Sequence, residues 1–196
     1  MTLVERVQNI ITKPAQEWPV IAAEPTTPAE LYKGYVVPLA AIPPICLFLA
    51  TLLYGHRTFF IAAVMAILSF ALELVYVTLV AVIADNLAPS FGAPRNANQA
   101  VKLVGYAWTP RWIAGILNFI PGVGALAILI GTLYSLYLVY LGVTPLMSIP
   151  PDRSVVYTIV VLVAAMVVAI VVSVVISIVF ATLVAGAVMS SGLLGH

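Results

Sequence analysis

From Val155 to Val188 the chain reads Val155-Val-Tyr-Thr-Ile-Val-Val-Leu-Val-Ala-Ala-Met-Val-Val-Ala-Ile-Val-Val-Ser-Val-Val-Ile-Ser-Ile-Val-Phe-Ala-Thr-Leu-Val-Ala-Gly-Ala-Val188, without one charged side chain. A helix crosses a hydrocarbon core of about 30 Å with about 20 apolar residues. At about 1.5 Å per residue this run covers about 50 Å, so it tilts or extends beyond the hydrocarbon. Its Val/Ile richness does not argue for a strand. The apolar character is continuous rather than alternating, and only helices and closed barrels span lipid. The rest of the chain agrees: of 196 residues, 63% are hydrophobic and 8% charged, with 8 Lys+Arg against 7 Asp+Glu. Mean hydropathy is +1.16, whereas about a quarter of a soluble domain is charged. These figures exclude a soluble enzyme, a basic nucleic-acid-binding domain and a disordered tail. A lone cysteine, Cys46, excludes an internal disulfide framework and a Cys-rich metal site.

Working back from Val155 gives four more apolar stretches, and the expectation is an all-α polytopic membrane protein with five transmembrane helices. The spans fall at about 35–54, 59–84, 99–119, 125–142 and 155–188. They form a transmembrane domain over 28–188, with an N-terminal segment at 1–27 and a tail at 189–196. Thr27-Pro28-Ala29-Glu30 fits a capping box with proline at the first helical position, so the first helix starts in the interface and enters the bilayer at Tyr35. Pro38, Pro43 and Pro44 kink or loosen it. The third span is the least apolar, holding Lys102, Thr109, Pro110, Arg111 and Asn118. Ile120-Pro121-Gly122-Val123-Gly124 then makes a turn tight enough for an antiparallel hairpin with the fourth.

Lys and Arg are enriched on the cytoplasmic side of membrane proteins. Arg6, Lys13, Lys33, Arg95, Lys102 and Arg153 fall on one side of the five spans and Arg57 on the other. The N-terminus is therefore expected in the cytoplasm and the C-terminus outside, in a multi-pass protein of the cell inner membrane. Residues 1–27 lack the continuous apolar core of a signal peptide. Leu3, Val4, Val7, Ile10 and Ile11 fall at helical spacing, with Glu5, Arg6, Gln8 and Asn9 largely opposite. The spacing predicts a short amphipathic helix lying on the cytoplasmic membrane surface, with Trp18 at the interface, or else packed on the protein's own loops. No internal repeat supports an inverted-repeat architecture.

Ionisable groups inside a bilayer are costly and mark a site or a buried pair. Lys102 lies within a turn of its span's end and is expected to snorkel to the interface. Glu73 and Arg111 lie deeper. Counted from Ala84 and from Gln99, each sits about 17 Å in, so the two opposite charges should pair near the midplane. Such a pair either fixes helix register or forms a polar site for a proton, an ion or an anionic head group. Tyr76 is one turn from Glu73, and Asn118 is two turns from Arg111. In the fourth span Thr132, Tyr134, Ser135, Tyr137 and Tyr140 make a polar-aromatic band, and Gly131 with Ser135 permits close helix approach within one subunit or between two. The breaks at Pro43, Pro44 and Pro110 free carbonyls that need a partner or a wet cavity. Enzymatic motifs are absent from the sequence: His56 lies in a short loop, His196 is terminal, and Cys46 has no basic neighbour. No catalytic residue, cofactor or metal is expected.

Three stretches carry a family resemblance. Tyr35-Val-Val-Pro38-Leu-Ala-Ala-Ile-Pro43-Pro44-Ile-Cys46 resembles the first span of the bacterial inner-membrane branch of the Yip1 domain family. Gly105-Tyr106-Ala-Trp-Thr109-Pro110 with Gly115 resembles its third, and Gly131-Thr-Leu-Tyr134-Ser-Leu-Tyr137-Leu-Val-Tyr140-Leu-Gly142-Val-Thr-Pro145 its fourth. The similarity covers most of residues 30–160. It implies five transmembrane helices with a cytoplasmic N-terminus and an external C-terminus. Eukaryotic relatives act in vesicle trafficking, membrane shaping and recruitment of Rab-type GTPases. Their Asp-Leu-Tyr-Gly-Pro motif is missing here, and only Gly105-Tyr106 is similar to their Gly-Tyr motif. Some bacterial relatives are described as transporters.

Two functions follow. One is a non-enzymatic membrane-organising or interaction protein, whose partners are the bilayer and a second copy or another membrane protein, with no nucleic acid. The long uncharged fifth helix and the N-terminal segment favour it. The other is a small permease for an ion, a proton-coupled solute or a lipid-like molecule, favoured by Glu73, Arg111 and the broken helices.

Overall fold

A computed structural model describes residues 1–54, 59–120 and 122–193, with side chains through Gly186. His56, Arg57, Pro121 and His196 lie outside the described residues, as do the side chains of the 189–196 tail. Among the described residues every regular element is helical. Two short helices, α1 (Leu3–Thr12) and α2 (Pro14–Ala23), precede four helices long and apolar enough to cross a membrane. These are α3 (Pro28–Tyr54), α4 (Phe59–Leu87, with a 3-10 turn Ala88–Phe91), α7 (Val123–Met147) and α8 (Pro151–Leu193). Between α4 and α7 run α5 (Ala97–Ala107), α6 (Thr109–Ala114) and a 3-10 turn Gly115–Phe119.

The helix-start signal at Thr27 operates as the local chemistry dictates. Glu30 N–H donates to Thr27 Oγ1 at 3.3 Å, and Thr27 N–H donates to Glu30 Oε2 at 2.9 Å. Further along α3 the prolines act on the ladder. Tyr32–Val36 widens into a π turn just before Pro38, and the helix breaks at Ala41 before Pro43. Both spare the chain an amide hydrogen bond that proline could not make.

The third expected span, 99–119, is not one helix. Pro110 has no N–H for the Tyr106 carbonyl, and the helix turns at Trp108. The freed carbonyl does not stay bare. Thr109 Oγ1 donates to Tyr106 O at 2.7 Å, so the Tyr35 hydroxyl must donate to Thr109 Oγ1, also at 2.7 Å. A proline break is thus sealed by one hydroxyl from its own helix and one from α3.

The N-terminal segment forms two helices rather than one, and most of its apolar face meets protein, with Val4 left exposed. Ile10 and Ile21 are fully buried, while Leu3, Val7 and Ile11 pack against the same core. Trp18 is not at the interface. Its ring sits where a side chain on Gly142 would be, beside Leu103. Arg6, buried over the Tyr106 ring, pairs with Glu17 and Glu24. Nor does Lys102 snorkel. It is 1% exposed, and its Nζ donates to Ile21 O at 3.1 Å and Glu24 O at 2.5 Å, while Gln99 Nε2 donates to Ala22 O at 2.9 Å. The Ile21 and Ala22 carbonyls close the last turn of α2, whose own helix supplies no donors for them, while Glu24 O also accepts from Thr26 N–H at 2.9 Å. Lys102 is a cap held between two elements, and its charge is offset by Glu24.

The buried core therefore gathers at the end of the bundle that holds the charges. It runs through Val77, Val80 and Ala84 of α4, Leu103 and Ala107 of α5, and Leu138 and Val143 of α7. Asp85 accepts from Arg95 Nε and Nη2 at 3.0 and 2.9 Å, and Tyr157 donates to Ala84 O at 2.7 Å, tying the loop and α8 to the end of α4. Only the first part of α8 joins this core, through Tyr157, Val161 and Ala165. Beyond it Ile170, Val171, Val174 and Ile178 are exposed.

Candidate functional site

The structure brings Glu73 and Arg111 together. Arg111 Nη1 donates to Glu73 Oε1 at 2.6 Å, with side-chain exposures of 32% and 16%. A third residue completes the contact: Trp112 Nε1 donates to the same Oε1 at 2.8 Å. Trp112 is fully buried. α4 supplies the acceptor and α6 both donors, so adjacent residues reach one oxygen from neighbouring positions on a short helix. The Gly131 of α7 makes this approach possible. A side chain there would press within 2.8 Å of Pro110 O and 3.1 Å of Arg111 Cα. Gly131 thus packs inside the subunit.

A cavity of about 260 Å³ adjoins the pair. Tyr76, Trp108 and Asn118 line it with Glu73 and Arg111, and Pro43 and Pro44 form its α3 wall. Ser69 of α4 and Ser173 of α8 add hydroxyls. The rings of Tyr76 and Trp108 lie 5.2 Å apart. Pro43 owes its position to Gly115, where a Cβ would fall 2.6 Å from the proline ring. The breaks in α3 and at Trp108 thus lie on the same cavity.

Tyr134 is not part of this group. Its hydroxyl donates to Ile11 O at 2.7 Å, where α1 ends, so it anchors the N-terminal hairpin. Pro110 is fully enclosed in the α6–α7 contact rather than on the cavity wall. Sequence reasoning missed Trp112, Trp108, Ser69 and Ser173. A signal existed for Trp112: a buried indole N–H needs an acceptor, and Glu73 is the carboxylate at its depth. Ser69 and Ser173 carry no such signal, because hydroxyls in membrane helices bond their own backbone as easily as they line a cavity.

The chemistry is asymmetric. Glu73 Oε1 takes two donors, while Oε2 takes none among the described residues. Arg111 Nε and Nη2 are unused in the same sense. Trp108 Nε1 is buried with no hydrogen-bond partner among the described residues. Glu73 Oε2 and the remaining Arg111 N–H groups therefore stand beside a cavity without being consumed by the fold, whereas the Trp108 N–H is closed off from it.

A family model described as the Yip1 domain matches residues 9–173. The chain is also 25% identical over 167 residues to inner membrane protein YohC of Escherichia coli, found in two strains, over 79% of this chain and 85% of the relative. No solved structure matches it. The matched range takes in Glu73, Trp108, Arg111, Trp112 and the N-terminal half of α8, and the chain belongs to the Yip1 domain family.

Proposed function

We propose that this protein is a small permease of the inner membrane that holds its solute at the Glu73–Arg111 pair. The observation that carries this is the cavity reaching that pair, together with the Glu73 Oε2 and Arg111 N–H groups that the fold leaves unused. A clamp that only fixed helix register would be dry and saturated. The proposal includes five crossings, with 97–119 as the broken third, a cytoplasmic N-terminus and an external C-terminus. The distribution of Lys and Arg supports that orientation, and the name of the Escherichia coli relative supports the inner membrane. Neither activity nor stability on this reading requires an enzymatic step or a cofactor.

The test is flux in liposomes containing purified protein. Wild type is expected to show flux that Glu73→Gln loses, with the variant's helicity and size-exclusion profile unchanged. Equal flux from both, or none from either for ions, protons and small amphiphiles, would sink the permease. Reporters fused at each end of the chain check orientation: a periplasmic phosphatase should be active only at the C-terminus.

A second reading has its own support. The exposed apolar face of α8 beyond Ala165 suits a membrane-organising or interaction role, with lipid or another membrane protein against it.

A further inference from the structure

We infer that the Glu73–Arg111 cavity binds a single-chain zwitterionic amphiphile, with an ammonium and a phosphate in its head group and its chain in an adjoining apolar slot. This rests on the pair being a ligand site and names the class of ligand. Beside the cavity lies a second one of about 130 Å³ between α3, α4 and α8. The two share Pro44, Leu47, Ser69 and Ile176, so the slot abuts the cavity at the charge pair. The slot walls include Phe48, Ile61, Met65 and Ala66. From Ser69 to Ile61 the α4 wall extends about 12 Å away from Glu73. A polar cavity abutting a mostly apolar slot fits a molecule built the same way.

The head group follows from the unused atoms. Glu73 Oε2 is an acceptor in need of a donor, and an ammonium supplies one. Tyr76 and Trp108 place aromatic rings beside the same space, which favours a cation. The remaining Arg111 N–H groups need acceptors, and phosphate oxygens supply them. The Glu73–Arg111 pair is neutral as a unit. A ligand of one net charge would enter a low-dielectric site uncompensated, whereas a zwitterion matches both partners and adds no net charge.

The experiment uses the full chain in detergent and reads tryptophan fluorescence, since Trp108 lines the cavity and Trp112 touches Glu73. The probe is lysophosphatidylethanolamine with bromine atoms on its chain, which quench nearby indoles. Saturable quenching is expected, with affinity falling about tenfold or more, over 1.4 kcal/mol, for the same chain on a phosphoglycerol head. Glu73→Gln should weaken it similarly. Ala66→Phe fills the slot without touching the pair and should also weaken it, with unchanged thermal unfolding. Free phosphoethanolamine should not compete. Equal quenching by both head groups, or no loss in either variant, would show an ordinary lipid annulus and overturn the inference. Competition by free phosphoethanolamine at equal affinity would overturn it too, while leaving a solute permease intact. Specific binding without Glu73-dependent flux would uphold it and remove the permease instead.

Discussion

Glu73 meets two donors on one oxygen, and its value to the fold is set by what loses a partner when it changes. Glu73→Ala strands the Trp112 indole and one Arg111 N–H, each worth about 1–3 kcal/mol when left unsatisfied. Glu73→Gln keeps a carbonyl oxygen for the same donors. The expected order of unfolding midpoint in detergent is therefore wild type, then Glu73→Gln, then Glu73→Ala. Midpoints that do not separate the two variants would show that the acceptor is dispensable. At Gly142 the constraint is steric. A methyl group would meet Leu103 Cδ1 at 2.6 Å and the Trp18 ring at 2.9 Å, so Gly142→Ala should cost about 1–3 kcal/mol by overpacking. Gly34, with open space where its Cβ would be, is the control: Gly34→Ala should leave the midpoint unchanged.

At the scale of elements, the α1–α2 hairpin is held by polar contacts that reach across the chain. Arg6 binds both Glu17 and Glu24, and Lys102 caps the end of α2. Lys102→Ala removes the cap and leaves the Ile21 carbonyl without a donor, while Glu24 O keeps the Thr26 N–H. Local opening should follow while the four long helices stay packed. Hydrogen exchange should rise over 3–23 alone, and trypsin should cut after the exposed Lys13 faster than in wild type. Uniform exchange across the chain would instead mean that the hairpin and bundle unfold together. The break at Trp108 makes a matching prediction. Thr109→Val removes the donor to Tyr106 O and the acceptor for Tyr35, costing about 1–3 kcal/mol, whereas Thr109→Ser retains both bonds and should cost less.

At the scale of the whole molecule, the buried core lies toward one end, and beyond Ala165 one face of α8 is left exposed. Val174, exposed in mid-helix, is predicted to face lipid. Val174→Arg should cost about 2.5–3.5 kcal/mol of insertion, seen as loss of protein from alkali-extracted membranes. Val174→Leu should not. Full retention of the Arg variant would place Val174 against water or a charged partner.

Composition and hydropathy alone determined the helical membrane class, the four long helices and the start at Thr27, because solvation by lipid and the first orphan amides are local demands. The pairing of Glu73 with Arg111 was legible for a similar reason: helical rise converts sequence distance into position along the bundle, and the two side chains meet. Only the tertiary structure decided which surfaces meet. The apolar stripe of α1 looks the same whether lipid or α2 and α6 of the same chain cover it. Lys102 looks the same whether water or the carbonyls of α2 solvate it. Apolar burial has no direction and a cation accepts any oxygen, so the choice of partner lies in packing that brings Ile21 to Lys102 and Trp112 to Glu73 across the chain.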